Sequence, residues 1–582
     1  MKKMINLTIN NTPVSIEEGS TILQASVKAN IKIPTLCFLK EINEVGACRV
    51  CLVEVEGMRN LVASCVFPVS EGMKVYTHSP RVMESRKNTL ELILSNHNQN
   101  CLSCPRNLNC ELQALAKEYN CDSMKYAGEM TETKVDDSSV AFVRDNSKCI
   151  MCGRCTAVCA SRQSVHAIGK IGRGFKTQIG CAFGKNVDES FCVNCGQCVI
   201  NCPTGALSDK SQEKEVVEAI YNKNKHTIVA MAPATRVALG EYFGNPIGTN
   251  VEKKMVSALK KLGFDAVFDI DFAADLTIME EGTEFINRLK EGKKGPMFTS
   301  CCPGWVKFVE HFYPEFIENV STCKSPQQMF GAVCKTYYAE KLGLKPEDIY
   351  VVSIMPCIAK KFERLRENQN AAGVPDIDAV LTARELGALI AKNGIDFNNL
   401  DDADFDLPMG LSSGAGVIFG ASGGVMEAAL RTVADVLENK SLEKVDYLLA
   451  RGLKGTKEAT VEIAGKKVNI AIVSGLQNAR NLLEAIKNGE KEYDFVEVMA
   501  CPGGCANGGG MPIHPSSIVN NNEIASLRAK GLYDSDLKNK IRKSHENKAV
   551  LDLYEHYLGT QGGEKAHHIL HTTYVDRSKK NK

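Results

Sequence analysis

Long apolar runs are missing from this chain. Nothing in its 582 residues approaches the roughly 18 consecutive apolar residues of a membrane-spanning helix, and Met1 to Thr12 (MKKMINLTINNT) turns polar too soon for a signal-peptide core. Excess charge is missing too. Lys+Arg 70 against Asp+Glu 69 gives a formal net charge of +1, so no strong global field draws nucleic acid or an anionic membrane. A nucleotide fingerprint is equally absent: the Gly-rich stretch Gly410 to Gly424 (GLSSGAGVIFGASGG) has no Gly-Lys-Ser/Thr after it and no convincing GxGxxG. It runs into a helix, Val425 to Glu438, and its expected use is close packing of backbone against a cofactor. Together with the chain length, these absences point to a soluble, cytoplasmic protein of several domains with no membrane or nucleic-acid partner.

What the chain has in quantity is cysteine, 24 in all and most in short ligand-type spacings. Without a secretory signal, they argue for metal ligation in a reducing compartment rather than for disulfides. A CxxCxxCxxxC run occurs twice, at Cys149, Cys152, Cys155 and Cys159, then at Cys192, Cys195, Cys198 and Cys202, the second followed by Pro203. In a protein holding two [4Fe–4S] clusters, three thiolates of each run bind one cubane and the fourth crosses to the other, so the two runs fold together. Zinc needs four ligands per ion and gives no reason for two matched runs with Gly153-Arg154 and Gly196-Gln197 at equal places. This stretch is expected to conduct electrons.

Seventeen cysteines lie at or before Cys202 and none follows until Cys301, which separates a cluster-bearing front from a different back half. The opening reads as a small β-rich unit: Ile5 to Ile9 and Val14-Ser15 flank the hairpin signal Asn10-Asn11, and Thr21 to Ala29 follows as a short helix. Cys37, Cys48, Cys51 and Cys65, with the alternating strand Leu52 to Val55 directly after the CxxC, suit a [2Fe–2S] site in a ferredoxin-like β-grasp. A helix over Arg81 to Asn96 leads to His97, Cys101, Cys104 and Cys110. Three cysteines need a fourth ligand, and spacing offers either His97 or Cys121, with a slight preference for Cys121. Cys181, in a Gly-flanked loop, is read as a non-ligand.

From about Lys210 the texture changes to alternating strands and amphipathic helices, a βα architecture with parallel sheets. The strand candidates are Thr227 to Ala232, Ala266 to Ile270, Met297 to Ser300, Ile349 to Met355, Asn469 to Ser474 and Phe495 to Ala500. Three of them run into cysteine, at Cys301-Cys302, at Cys357 and at Cys501-Pro502-Gly503-Gly504-Cys505. Ligands of open α/β sheets sit beyond the carboxyl ends of strands, so these thiols are expected to converge on one buried site. Read on their own, Glu280-Glu281, Glu284 and Arg288 form an ordinary charged helix face.

The segments FTSCCPGW (298–305), MPCIAKKFE (355–363) and EVMACPGGCANGGG (497–510) closely resemble the three signature regions of the [FeFe]-hydrogenases, and the front-end spacings resemble their multi-cluster clostridial type. The resemblance spans essentially the whole chain. It implies an α/β multidomain fold: a β-grasp ferredoxin-like domain (1–79), a small His/Cys3 [4Fe–4S] domain (80–125), a 2[4Fe–4S] ferredoxin-like domain (126–209) and a catalytic domain (210–582) with two βα lobes around the H-cluster. It also implies reversible reduction of protons to H2 at that cluster, a cubane joined through one cysteine to a diiron unit with CO, CN and a dithiolate bridge. By motif match Cys302, Cys357, Cys501 and Cys505 hold the cubane, and Cys505 bridges to the diiron unit. The family's histidine-ligated cubane selects His97 over Cys121. Its ferredoxin pattern gives Cys149, Cys152, Cys155 and Cys202 to one cluster and Cys159, Cys192, Cys195 and Cys198 to the other. Three accessory [4Fe–4S] clusters and one [2Fe–2S] cluster are thus expected.

The resemblance makes Cys301 the last proton donor, fed by Glu281, Ser321 and Glu284, with Arg288 at the outer end. Lys360 is implied as a donor to a cyanide ligand, and Pro233, Ala234, Gln327, Met355 and Met499 as pocket positions. Some relatives carry Ser at position 234, so Ala234 removes a contact to cyanide. The family's usual electron partners are ferredoxin or flavodoxin, and maturation proteins insert the diiron unit. Two other classes compete. Electron-relaying iron–sulfur subunits of dehydrogenases share the front but lack the three C-terminal segments. Hydrogenase-like assembly proteins lack the front and the cysteine at 301, and a sensory hydrogenase-like protein is expected to change that residue. The tail Arg577 to Lys582 reads as a solvated, disordered end.

Overall fold

The computed structural model of the chain describes residues 3–443 and 445–578. Met4–Ile9 and Thr12–Glu17 pair antiparallel across Asn10-Asn11, whose φ angles of 49° and 66° are the left-handed values that a two-residue hairpin turn requires. With Lys74–Tyr76, Leu52–Val55 and Val62–Ala63 they make a five-stranded sheet, in which Lys74–Tyr76 runs parallel to the first strand. Helix Ile22–Lys28 packs on it, started by a capping box in which Thr21 and Gln24 exchange side-chain-to-backbone hydrogen bonds. Helices Pro80–Ser95 and Glu111–Glu118 then meet through Leu90, Leu94, Leu112 and Leu115.

The doubled cysteine run is doubled in backbone as well. Met151 and Asn194, at equal places, have φ of 54° and 57°, and Gly153 and Gly196 follow at 81° and 73°, each opening a short helix, Arg154–Ala157 and Gln197–Ile200. The turn aims the amide of Met151 at Cys149 Sγ and that of Asn194 at Cys192 Sγ, both at 3.4 Å. Gly196 has a further reason to be glycine, since a Cβ there would stand 2.8 Å from Gly509 Cα.

The back half is built on two four-stranded sheets. One is all parallel, in the order Ala266–Asp269, His226–Met231, Ile349–Met355, Ala379–Thr382. The other runs Met297–Phe298, Phe495–Met499, Lys466–Ser474, Thr456–Ile463, the last pair antiparallel. Each sheet has a hydrophobic core on both faces, which is why its inner strands read as nearly continuous apolar runs. Two strands were absent from the sequence reading. Ala379–Thr382 is a four-residue edge, and Thr456–Ile463 carries exposed Glu458 and Glu462 on its outer face.

Helix Ile270–Glu291 ties the lobes together. Ile270, Phe272, Ala273, Leu276 and Met279 face the core of the first sheet, and Ala274, Ile278, Phe285 and Ile286 face that of the second. This position corrects the charged-face reading: Glu280 and Glu281 are each 1% exposed. No helix among the described residues is long and apolar enough to cross a membrane. The tail expectation needs correction where it can be judged. Arg577 is anchored by an ion pair with buried Glu310 at 2.8 Å, while residues 579–582 lie outside the described residues.

Candidate active site

The strand ending at Phe298 delivers Cys301 and Cys302, that ending at Met355 delivers Cys357, and that ending at Met499 delivers Cys501 and Cys505; all five thiols line one cavity between the lobes. Pro233 and Ala234, just past the strand His226–Met231, complete the wall with Gln327, Met355, Lys360, Phe419, Gly420 and Met499. Ala234 is fully buried and offers the cavity a methyl group and no side-chain hydrogen bond. Glycine lets the last loop fit: a Cβ on Gly508 would lie 2.2 Å from Pro356 O, and one on Gly504 2.5 Å from Ser422 N. Of the 410–424 stretch only Phe419 and Gly420 reach the cavity. Its other glycines pack against protein, as Gly416 does against Asp271 O and Gly414 against Asp536.

These residues fit a metal cluster. Burial pushes the Cys357 thiol up to about 12 and drives Cys302, Cys501 and Cys505 upward as well, so four thiolates here need positive charge between them. The Ala500 amide already points at Cys302 Sγ from 3.3 Å.

Around the thiols Lys360, Ser325, Gln327 and Glu363 form one hydrogen-bonded group. Lys360 Nζ donates to Cys301 O (3.1 Å), Ser325 Oγ (2.8 Å) and Glu363 (2.9 Å). Burial alone would lower its ammonium, but Glu363 raises it above the usual range and keeps it charged. Gln327 accepts from Ser353 Oγ at 2.8 Å and donates to Glu363 at 3.1 Å. Ser325 and Glu363 escaped the sequence reading. Glu363, three residues after Lys360 within MPCIAKKFE, was the available signal.

Cys301 has its thiol pushed far up, by burial first and by Glu281 second. Glu281 Oε1 accepts the Ser300 amide at 3.3 Å, while its Oε2 is buried with no hydrogen-bond partner among the described residues. Burial, then the charge of Glu284, lifts Glu281 to about 8, so it carries a proton at neutral pH. Ser321 Oγ donates to Glu284 Oε2 at 2.7 Å. Arg288 is not joined to this row: it reaches the carbonyls of Gly295 and Pro296 at 3.4 Å.

In the front, Cys37, Cys48, Cys51 and Cys65 come together, with Cys51 and Cys65 Sγ 3.3 Å apart. The Cys37 thiol holds Cys48 down at about 6, and Cys65 holds Cys51 at about 7. His97, Cys101, Cys104, Cys110 and also Cys121 line a second cavity. His97 Nδ1 is buried without a partner among the described residues, and burial lowers the imidazole to about 4, leaving it neutral as a ligand must be. Cys181 and Cys334 lie in hydrophobic cores. The sites abut one another. Asn43 Nδ2 bridges Cys37 O (2.7 Å) and Cys152 O (3.0 Å), and Arg106 donates to Cys202 O at 2.9 Å. A Cβ on Gly205 would sit 2.4 Å from Cys104 Sγ, and one on Gly304, beside Cys302, 3.8 Å from Cys195 Cβ. Asn43 and Arg106 carry no spacing signal and were not foreseen.

Cysteine sites that abut one another in the front, and five cysteines that converge on one buried cavity in the back, define a redox enzyme of the iron–sulfur class. Residues 225–509 match the family described as iron only hydrogenase large subunit, C-terminal domain, and 522–577 match iron hydrogenase small subunit. In the front, 2–80 match a 2Fe-2S iron-sulfur cluster binding domain, 86–125 the NADH-ubiquinone oxidoreductase-G iron-sulfur binding region and 185–208 a 4Fe-4S binding domain. The chain is 47% identical to the NADP-reducing hydrogenase subunit HndD of Solidesulfovibrio fructosivorans, over 99% of this chain and all of the relative. It is 44% identical to iron hydrogenase 1 of Clostridium pasteurianum, over 98% and 100% of the two chains. A solved [FeFe]-hydrogenase HydA1 from Chlamydomonas reinhardtii is 39% identical over 62% of this chain and 98% of that one, with a TM-score of 0.56. The chain belongs to the [FeFe]-hydrogenases, the iron-only hydrogenase family. It is an H2 oxidoreductase with accessory iron–sulfur domains.

Proposed function

We propose a separate route for each reactant of 2 H+ + 2 e− ⇌ H2 in this chain. Cys302, Cys357, Cys501 and Cys505 would hold the H-cluster, with Cys505 shared between its two parts. When bound, that cluster supplies the metal centre at which electrons and protons combine. Lys360, charged and fixed by Glu363, would steady an anionic ligand of the cluster, with Pro233, Ala234, Gln327, Met355 and Met499 shaping the pocket. Cys301 holds and returns a proton without leaving a fixed charge in a low-dielectric cavity. Glu281, neutral at pH 7, would reload it, and Ser321 would pass a proton inward from Glu284. Arg288 would act only on the surroundings of Glu284.

Electrons would enter through four accessory clusters: a [2Fe–2S] cluster on Cys37, Cys48, Cys51 and Cys65, a cubane on His97, Cys101, Cys104 and Cys110, and two ferredoxin-type cubanes. The contacts through Asn43 and through Arg106 with Gly205 support a fork, with both outer sites meeting the cubane of Cys149, Cys152, Cys155 and Cys202. From there the cubane of Cys159, Cys192, Cys195 and Cys198 would lead inward past Gly304. The units follow the boundaries 1–79, a β-grasp, then 80–125, 126–209 and 210–582. A ferredoxin or flavodoxin in a reducing cytoplasm is the electron partner this arrangement suits, and maturation proteins would supply the diiron part. The 47% relative gives a second reading of the partner, because its name makes it one subunit of an NADP-reducing hydrogenase. A companion subunit would then feed the same front, and co-purification from the native source separates the two.

The convergence of Cys301, Cys302, Cys357, Cys501 and Cys505 on one buried cavity carries this reading. Protein matured anaerobically should show CO and CN infrared bands and evolve H2, whereas protein made without maturation proteins should hold cubanes and stay inactive. Matured protein without those bands, under conditions that mature a known hydrogenase, would contradict the reading.

A further inference from the structure

Beside the proton-carrying row lies a group with the donor set of a zinc site. Among the described residues, Glu284, Cys323 and His571 each present a ligand atom within 4.8 Å of the others, and carboxylate, thiolate and imidazole are the ligand types that zinc takes. Three separate segments bring them together. Glu284 stands on the helix Ile270–Glu291, Cys323 follows Ser321 by two residues, and His571 is fixed opposite Cys323 by an antiparallel bridge. Lys324 N donates to Leu570 O and Thr572 N to Thr322 O, both at 2.8 Å, which sets that register.

The side chains are poised for an ion. Cys323 is fully buried, with Sγ 3.8 Å from Glu284 Oε2. His571 meets Glu280 Oε2 through Nε2 at 3.0 Å, and Glu280 is held in turn by the Tyr554 hydroxyl and the Gly562 amide. A carboxylate behind a ligating histidine, fixing its ring and raising its basicity, is the outer support of such sites. Nδ1 of the same ring contacts Thr322 Oγ1 at 2.7 Å, so an ion takes this nitrogen once the Thr322 side chain turns about its Cα–Cβ bond. His567, exposed to solvent, stacks on His571 with ring centroids 4.4 Å apart, so one residue separates the group from the surface.

We propose that Glu284, Cys323 and His571 bind one zinc ion, with water in the fourth position, and that the bound ion stops proton delivery to Cys301. The block rests on the route through Glu284 proposed above. A carboxylate that ligates a dication no longer takes up protons near neutral pH, and the added charge repels protons arriving at Ser321.

The test uses matured, cluster-loaded enzyme titrated with Zn2+ alone, and with Mg2+ as a hard-cation control. Zinc absorption spectra should show one sulfur at about 2.3 Å with nitrogen and oxygen neighbours. H2 evolution should slow with Zn2+, recover with a chelator and ignore Mg2+. Cys323→Ser and His571→Gln should each weaken zinc binding by about 10- to 100-fold, with H2 evolution in the absence of zinc unchanged. A zinc shell without sulfur, or inhibition undiminished in both variants, would overturn the site. Zinc bound through sulfur with turnover unaffected would overturn the block and the Glu284 route together, and would leave the hydrogenase assignment standing.

Discussion

Two regions of this molecule gather cysteine in opposite ways. Between 149 and 202 eight thiols come from two short runs, each shaped by its own turn, with Met151 and Gly153 mirrored by Asn194 and Gly196. Around the cavity the thiols come from three strand ends spread from 301 to 505, and only the sheet order brings them together. The front is therefore a set of sites shaped by local turns. The back is a single site that depends on the whole domain. Polar support differs likewise: the front sites touch through single contacts such as Asn43, whereas Lys360 alone ties Cys301, Ser325 and Glu363.

Variants should break along that line. Cys505→Ala is expected to abolish H2 evolution while the front cubanes keep their electron paramagnetic resonance signals; residual turnover would mean that the cavity thiols act independently. Glu281→Gln should slow H2 evolution by about a hundredfold, the scale of one general acid–base step. The sign of its pH dependence follows from burial. A carboxyl raised to about 8 holds its proton through neutral pH and loses it above, so wild-type evolution should fall as pH rises through 8, and the variant's pH–rate profile should lack that limb. In the front, His97→Ala should remove one cubane and lower turnover only a few fold, because the fork leaves the other branch open. Cys121→Ala should leave the iron content unchanged, and the reverse pattern would exchange their roles. Smallest of all, Arg288→Ala should change turnover by no more than about fivefold, the size of a surface charge effect, because its guanidinium sits on the 295 and 296 carbonyls.

Legibility in sequence follows the same division. Spacing alone marked most front cysteines as candidate ligands, because a short run writes its geometry into the sequence. It left His97 and Cys121 as alternatives with a slight preference for Cys121, and only the family resemblance turned the expectation to His97. The hairpin at Asn10-Asn11 and the helix Pro80–Ser95 were readable for the same local reason. Strand ends running into Cys301, Cys357 and Cys501 suggested one site, yet their meeting depends on two sheets, of which Ala379–Thr382 and Thr456–Ile463 went unseen. Glu280 and Glu281 looked like a solvated face because helical spacing does not show that both sides of Ile270–Glu291 are covered. Roles that arise between distant segments, such as His571 against Cys323 or Asn43 against Cys152, leave no trace in spacing.

The central claim is that electrons and protons reach the cavity by separate ways, and Cys301→Ser tests it most directly. Matured variant protein, reduced in the absence of H2, should show the CO and CN bands and the accessory-cluster signals of the parent while H2 evolution falls by about a hundredfold or more. Near-normal evolution from that variant, with the same spectra, would contradict the account.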